Sequence, residues 1–262
     1  MHINQLHLHD GSAIIREFML PLLFLTAAAL YLAAALVSGR RYGTWPLYRH
    51  WCLLFGVISA AAATVGPLAE RAHVDFTAHM TAHLLLGMLS PLLLTLSAPM
   101  TLVLKTLPVQ ASRRLSRILK SRLLRAAGDP VSASLLNVGG LWILYTTDLY
   151  MAMHMHPLVN LLVHIHLFLA GCLFTRSIIY IDPTPHRTGF VYRAVILIFA
   201  FACHSILSKY VYIHPPAGVS FEQARIGGMI MYYGGDAIEI ALLTVFCLQW
   251  FQAVRPRACV EV

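Results

Sequence analysis

The stretch HMTAHLLLGMLSPLLLTLSA, residues 79–98, decides the fold. It holds no Asp, Glu, Lys or Arg, and its length is the ~20 residues a helix needs to cross ~30 Å of hydrocarbon. Similar apolar runs lie near 17–37, 51–68, 131–147, 158–180, 193–211 and 226–251. Composition agrees: 58% of residues are hydrophobic and 11% are charged, where a soluble domain carries roughly 25% charged residues. The expected fold class is an all-α membrane protein, a seven-transmembrane-helix bundle, organised as one domain over residues 1–262. Pro67, Pro91 and Pro99 sit at or inside these runs. A membrane bundle tolerates them when neighbouring groups meet the carbonyls they free. Residues 1–15 lack a basic leader region, and the first apolar run is long enough to span, so a cleavable signal is not expected.

Orientation follows from Lys and Arg, which concentrate on the cytoplasmic side of membrane helices. With the N-terminus outside, the inner side holds Arg40, Arg41, Arg49, Lys105, Arg113, Arg114, Arg117, Lys120, Arg122, Arg125, Arg176, Arg187, Arg193, Arg255 and Arg257. That is fifteen of the nineteen basic residues, and a miscounted helix would destroy the alternation. Residues 1–16 are then an extracytoplasmic tail, 105–129 a basic cytoplasmic loop, and 252–262 a cytoplasmic tail with the C-terminus inside. The basic loop reads as a topology determinant resting on anionic lipid headgroups. No aromatic residue interrupts it, so nucleic acid is not an expected partner.

The same topology sorts the fourteen histidines. His2, His7, His9, His73, His79, His83, His154, His156, His164, His166, His204 and His214 fall on the outer half, and only His50 and His186 on the inner. Several lie inside apolar runs, where an ionisable group is costly and a functional role is the default reading. His79 and His83 stand at i and i+4, so both imidazoles share one helix face and can share one ion. The competing reading is a pair of interfacial histidines bonded to neighbouring helices. Met151, Met153, His154, Met155 and His156 alternate in the second outer loop; thioether favours Cu(I), and imidazole suits copper in either state. The plainer reading is a loop with its methionines dipped into lipid.

His164 and His166 are two residues apart and point to nearly opposite faces, so one of them at most joins His79 and His83. His204 is a further candidate ligand. In the last run Asp236 and Glu239 share a face. They read as partners that orient a ligating histidine, as a proton relay, or as helix–helix hydrogen bonds. Gly227, Gly228, Gly234 and Gly235 fit close helix packing. The five cysteines form no CxxC or CxC pair, so neither a disulfide framework nor a thiolate metal motif is expected.

Three blocks carry a family resemblance: FTAHMTAHLLLGMLSPLLLTLSAPMTLVL (76–104), LYMAMHMHPLVNLLVHIHLFLAGCLF (149–174) and GGMIMYYGGDAIEIALL (227–243). Together they resemble the caa3-type cytochrome c oxidase assembly factors, the seven-helix proteins called CtaG in Gram-positive bacteria. The family's HMxxH helix and its Gly-x-x-Met-aromatic final helix map onto His79, Met80, His83 and Met231, with one of His164 or His166. Tyr232 stands where a Trp is common in the family, and Glu222-Gln223 is slightly displaced from the family's Asp-Gln.

The resemblance implies a non-enzymatic, multi-pass protein of the bacterial plasma (inner) membrane that handles copper for a haem–copper oxidase. Its partners would be cytochrome c oxidase subunits and a periplasmic copper donor. Two other classes stay open on the residues alone. A bis-histidine haem b redox protein would use histidines on separate helices. A copper transporter would need ligands continuing inward, and below His166 only Cys172, Asp236, Glu239 and Cys247 are available. No HExxH pattern supports a hydrolase.

Overall fold

Prolines and short polar side chains set where the helices begin. In the computed structural model, which describes residues 20–42 and 44–255, Pro67, Pro99, Pro130 and Pro157 each open a helix, where the missing N–H has no intrahelical partner to lose. Asp75, Asp129 and Ser220 cap three helices by accepting from Thr77, Val131 and Gln223 backbone N–H groups. The helices in chain order are α1 (Leu20–Tyr42), α2 (Leu47–Thr64), α3 (Pro67–Ala72) and α4 (Phe76–Leu96). Next come α5 (Pro99–Thr106), α6 (Val109–Leu119), α7 (Arg122–Ala127) and α8 (130–146). The last are α9 (Leu149–Met155), α10 (Pro157–Ile178), α11 (Phe190–Ile213) and α12 (Phe221–Val254). No strand occurs among the described residues.

Within the described residues the apolar runs lie largely on helices, the second of them divided between α2 and α3, and four helices, α4, α10, α11 and α12, are long and apolar enough to cross a membrane. The chain is therefore a multi-pass, all-helical membrane protein. The stretch that decided the fold is also its centre: 61% of the best window of α4 is buried within the protein, against 17–28% for the other three. α2 ends at Thr64, because Val65 is extended and Gly66 takes a positive φ of 84°, so the second run stops short of its expected end at 68. Residues 105–129, expected as a loop, fold into the end of α5 and the short helices α6 and α7. The reason is periodicity: Leu115, Ile118 and Leu119 fall on one side of α6, and Arg113, Arg114 and Arg117 on the other. The N-terminal tail with His2, His7 and His9, and residues 256–262, lie outside the described residues.

Two π-turns matter for the site. In α4, residues Leu85–Leu89 form one, followed directly by Pro91. Pro91 has no N–H to offer the Gly87 carbonyl four residues back. That carbonyl faces Gly171 of α10, so closely that a Cβ on Gly171 would collide with it. The absence of a side chain at 171 is what lets the two helices touch. In α8, Leu135–Gly139 form the other π-turn. The loosened Leu136 carbonyl there accepts a 3.0 Å hydrogen bond from His166 Nε2, and Gly140 leaves room for that imidazole.

Contacts between connecting segments gather at two opposite ends. At one end Arg49 and Lys105 lie over the Trp45 ring, Asp182 accepts from Met100 and Thr101, and Arg125 pairs with His186 at 3.1 Å. At the other, α4 begins against Tyr150 and His154, and Met151 reaches Gly218 in the turn before α12.

Candidate metal centre

The second end is built around the first turns of α4. The Asp75 cap fixes the helix start, so Phe76, His79 and His83 fall at i, i+3 and i+7 on one face. His79 is buried and stacks near Phe76 with ring centres 5.9 Å apart. Its Nε2 lies 3.1 Å from the Tyr145 hydroxyl at the end of α8. The ring of Tyr150 stands edge-on to it at 5.2 Å, and the imidazole of His154 is centred 6.3 Å away. Burial raises the Tyr150 phenol above its ordinary range, with Asp75 adding to the effect, so that side chain is neutral.

Tautomers are fixed by the backbone. His154 Nδ1 lies 2.8 Å from the Tyr150 carbonyl, and His164 Nδ1 lies 2.8 Å from the Asn160 carbonyl. A carbonyl only accepts, so each Nδ1 donates, and in the neutral form of each ring it is Nε2 that keeps the lone pair. This is the state in which histidine binds a metal, with the other nitrogen held by a hydrogen bond. The groups whose charge bears on His79 are His164, His83, His154 and His73. The nest is made of imidazoles with no carboxylate among them.

One turn deeper, His83 is buried and its ring lies 6.3 Å from that of His204 on α11. His204 Nδ1 is 2.9 Å from Glu239 Oε1 on α12. The two are at ion-pair distance, but the N–H is not aligned for a hydrogen bond. Proximity rather than direction defines this contact.

The structure sorts the other sequence candidates. The segment 149–155, expected as a wet loop, is the helix α9, which turns Tyr150 and Met153 inward and leaves Met151 and Met155 exposed. His156, just past it, is exposed too. Met80, Met153 and Met231 are fully buried in one apolar cluster with Tyr145 and Tyr150. There they serve the packing that surrounds the imidazoles, and Gly227 admits Met80 against α12. His166 is engaged by Leu136, whereas His164 has its Nε2 available. Asp236 is half-buried on α12. Among the described residues, no three His, Cys, Asp or Glu side chains already converge on one point. Sequence reading missed Tyr145 and Tyr150 as the walls of the nest, and missed the pairing of His204 with Glu239. A tyrosine one position before Thr146-Thr147-Asp148, and another one position after Leu149, was the available signal, since buried Tyr needs a polar partner.

An all-helical, multi-pass membrane protein with an imidazole nest at one end is the class that fold and site define. The chain matches the family model of the cytochrome c oxidase caa3 assembly factor (Caa3_CtaG) over residues 29–253. It belongs to that family, and the match spans every residue of the nest. It is also similar to uncharacterized mycobacterial proteins. One from Mycobacterium bovis is 30% identical over 191 residues, covering 68% of this chain and 29% of the relative. One from Mycobacterium leprae is 27% identical over 251 residues, covering 86% of this chain and 38% of the relative. The chain thus spans well under half the length of these curated relatives. No solved structure matches it.

Proposed function

We propose that this chain is a non-enzymatic copper-handling factor for assembly of a haem–copper cytochrome c oxidase. It receives Cu(I) at the extracytoplasmic face of a bacterial plasma membrane, from a periplasmic donor, and passes it to an oxidase subunit. One observation carries the reading: imidazoles from α9 and α10, those of His154 and His164, gather at buried His79, each with its Nδ1 held against a backbone carbonyl. Tyr145 lies 3.1 Å from His79 Nε2 and holds that ring in place. A nest of neutral nitrogens without a carboxylate suits a monovalent ion, because a higher charge in a poorly solvated site needs an anion beside it. His154 stands half-buried on the short helix α9, at the rim of the nest, and this suits a site that must release its cargo.

The topology belongs to the same proposal. Seven spans with the N-terminus outside put the segments holding Arg49, Lys105, Arg125 and Arg187 on the cytoplasmic side. Those segments do meet at one end of the molecule, and the imidazole nest is at the other.

The test is Cu(I) titration against a competing chelator, on the full chain in detergent under reducing conditions. Wild type binds tightly, and His79→Ala, His154→Ala and His164→Ala each weaken it by ~100-fold or more, since loss of a ligand's partner alone costs 10–100-fold. Equal binding by all four proteins refutes the site. An intense visible band of bound haem, lost in the same variants, replaces the copper reading with the redox one.

A further inference from the structure

The geometry points to a second, deeper metal site formed by His83, His204 and Glu239, taking a divalent late first-row transition ion. It goes beyond the outer copper reading and does not depend on it. The three side chains come from α4, α11 and α12 and are 3%, 3% and 6% exposed. Both ring nitrogens of His83 and Nε2 of His204 have no hydrogen-bond partner. A buried polar atom left in that state is destabilising, so three such atoms around one carboxylate are not explained by packing.

The chain also clears space for the His204 ring. A Cβ on Gly235 would lie 2.5 Å from His204 Cε1. Beside His204 and Glu239 is a cavity of about 30 Å³, also bordered by Met88, Asn137 and Thr175. A single water-sized body needs roughly 10–15 Å³, so the space beside His204 and Glu239 admits one, and His83 stands outside its lining.

Distance and charge both agree. An ion bonded to imidazole nitrogen at about 2.0–2.1 Å lies about 3 Å from the ring centre. Two rings 6.3 Å apart are therefore at the outer limit for sharing one ion. Closing the site requires the His83 ring to shift toward His204, and neither of its nitrogens has a hydrogen bond to break. Glu239, already 2.9 Å from His204, supplies the negative charge that a divalent ion needs in a low-dielectric interior and that the outer nest lacks. A nitrogen and oxygen donor set with no thioether suits zinc-like divalent ions more than Cu(I).

Co(II) is the probe, titrated into the full chain in detergent and read by its visible d–d absorption. Wild type is expected to take up one equivalent with the intense bands of a low-coordinate site. His204→Asn and Glu239→Gln, which keep side-chain volume, weaken uptake by ~100-fold or more. Glu239→Asp restores the bands at shifted wavelength, and Gly139→Ala, where a Cβ meets nothing within 4 Å, leaves them unchanged. Bands that persist in both His204→Asn and Glu239→Gln overturn the proposal, as does their absence from wild type. If Cu(I) fails to bind the outer nest while the Co(II) bands follow Glu239, the copper reading falls and this site stands. If Cu(I) binding follows His164 and no band appears, the reverse holds.

Discussion

Replacing Gly171 by alanine tests the helix contact that positions the whole site. A Cβ there would overlap the Gly87 carbonyl oxygen and sit 2.9 Å from Pro91 Cγ. A comfortable C···O contact is about 3.3–3.6 Å, so α10 and α4 must part by about 1 Å at this point. Neither obstacle can rotate away: one is backbone and the other a proline ring. Overpacking costs about 1–3 kcal/mol, and the rigid neighbours place this case at the upper end. In a chain of this size that lowers the melting temperature by roughly 5–10 °C. His164 lies on α10 and His79 and His83 on α4, so the separation also spreads the imidazoles and weakens Cu(I) binding. The assay is thermal unfolding in detergent beside the Cu(I) titration, with Gly139→Ala as control, since a Cβ there meets nothing within 4 Å. Gly171→Ala melting with wild type, or no lower than Gly139→Ala does, refutes the close crossing.

Three further outcomes are expected. His166→Ala destabilises the chain by about 1–3 kcal/mol in chemical unfolding, because the Leu136 carbonyl loses its donor, yet it leaves Cu(I) binding intact; a collapse of binding would reverse the roles of His164 and His166. Asp182→Ala strips three hydrogen bonds from Met100 and Thr101 and lowers stability by about 2–4 kcal/mol, with Asp182→Asn costing less; equal stability of both variants with wild type would show those bonds to be incidental. In a cysteine-free background, Ala217→Cys reacts with an impermeant maleimide added outside intact cells, and Arg187→Cys reacts only after permeabilisation; the opposite pattern inverts the topology.

The helical, multi-pass character was legible because burial in lipid demands long apolar runs, and these lie largely on helices. Charge placement along the chain supplied an expected side for each histidine. What escaped was tertiary. His164 and His166 differ only in which neighbour each meets, and the loosened Leu136 carbonyl that claims His166 arises from a π-turn with no sequence mark of its own. His204 and Glu239 lie 35 residues apart on separate helices, so only folding reveals that they touch. Residues 109–119 were read as a loop because their charges outweighed an apolar stripe that repeats at helical spacing. The Met/His segment was taken for a wet loop because alternation looks two-sided in sequence, whereas on a helix it turns Tyr150 and Met153 in and Met151 and Met155 out.

The most direct test of the central claim is the X-ray absorption spectrum of the full chain loaded with one equivalent of Cu(I). The account predicts a first shell dominated by nitrogen at about 2.0 Å, with the outer-shell scattering of imidazole, losing one imidazole's share in His164→Ala. A shell made of sulfur alone at about 2.3 Å, unchanged in His164→Ala, would place the copper on the methionines and contradict the account.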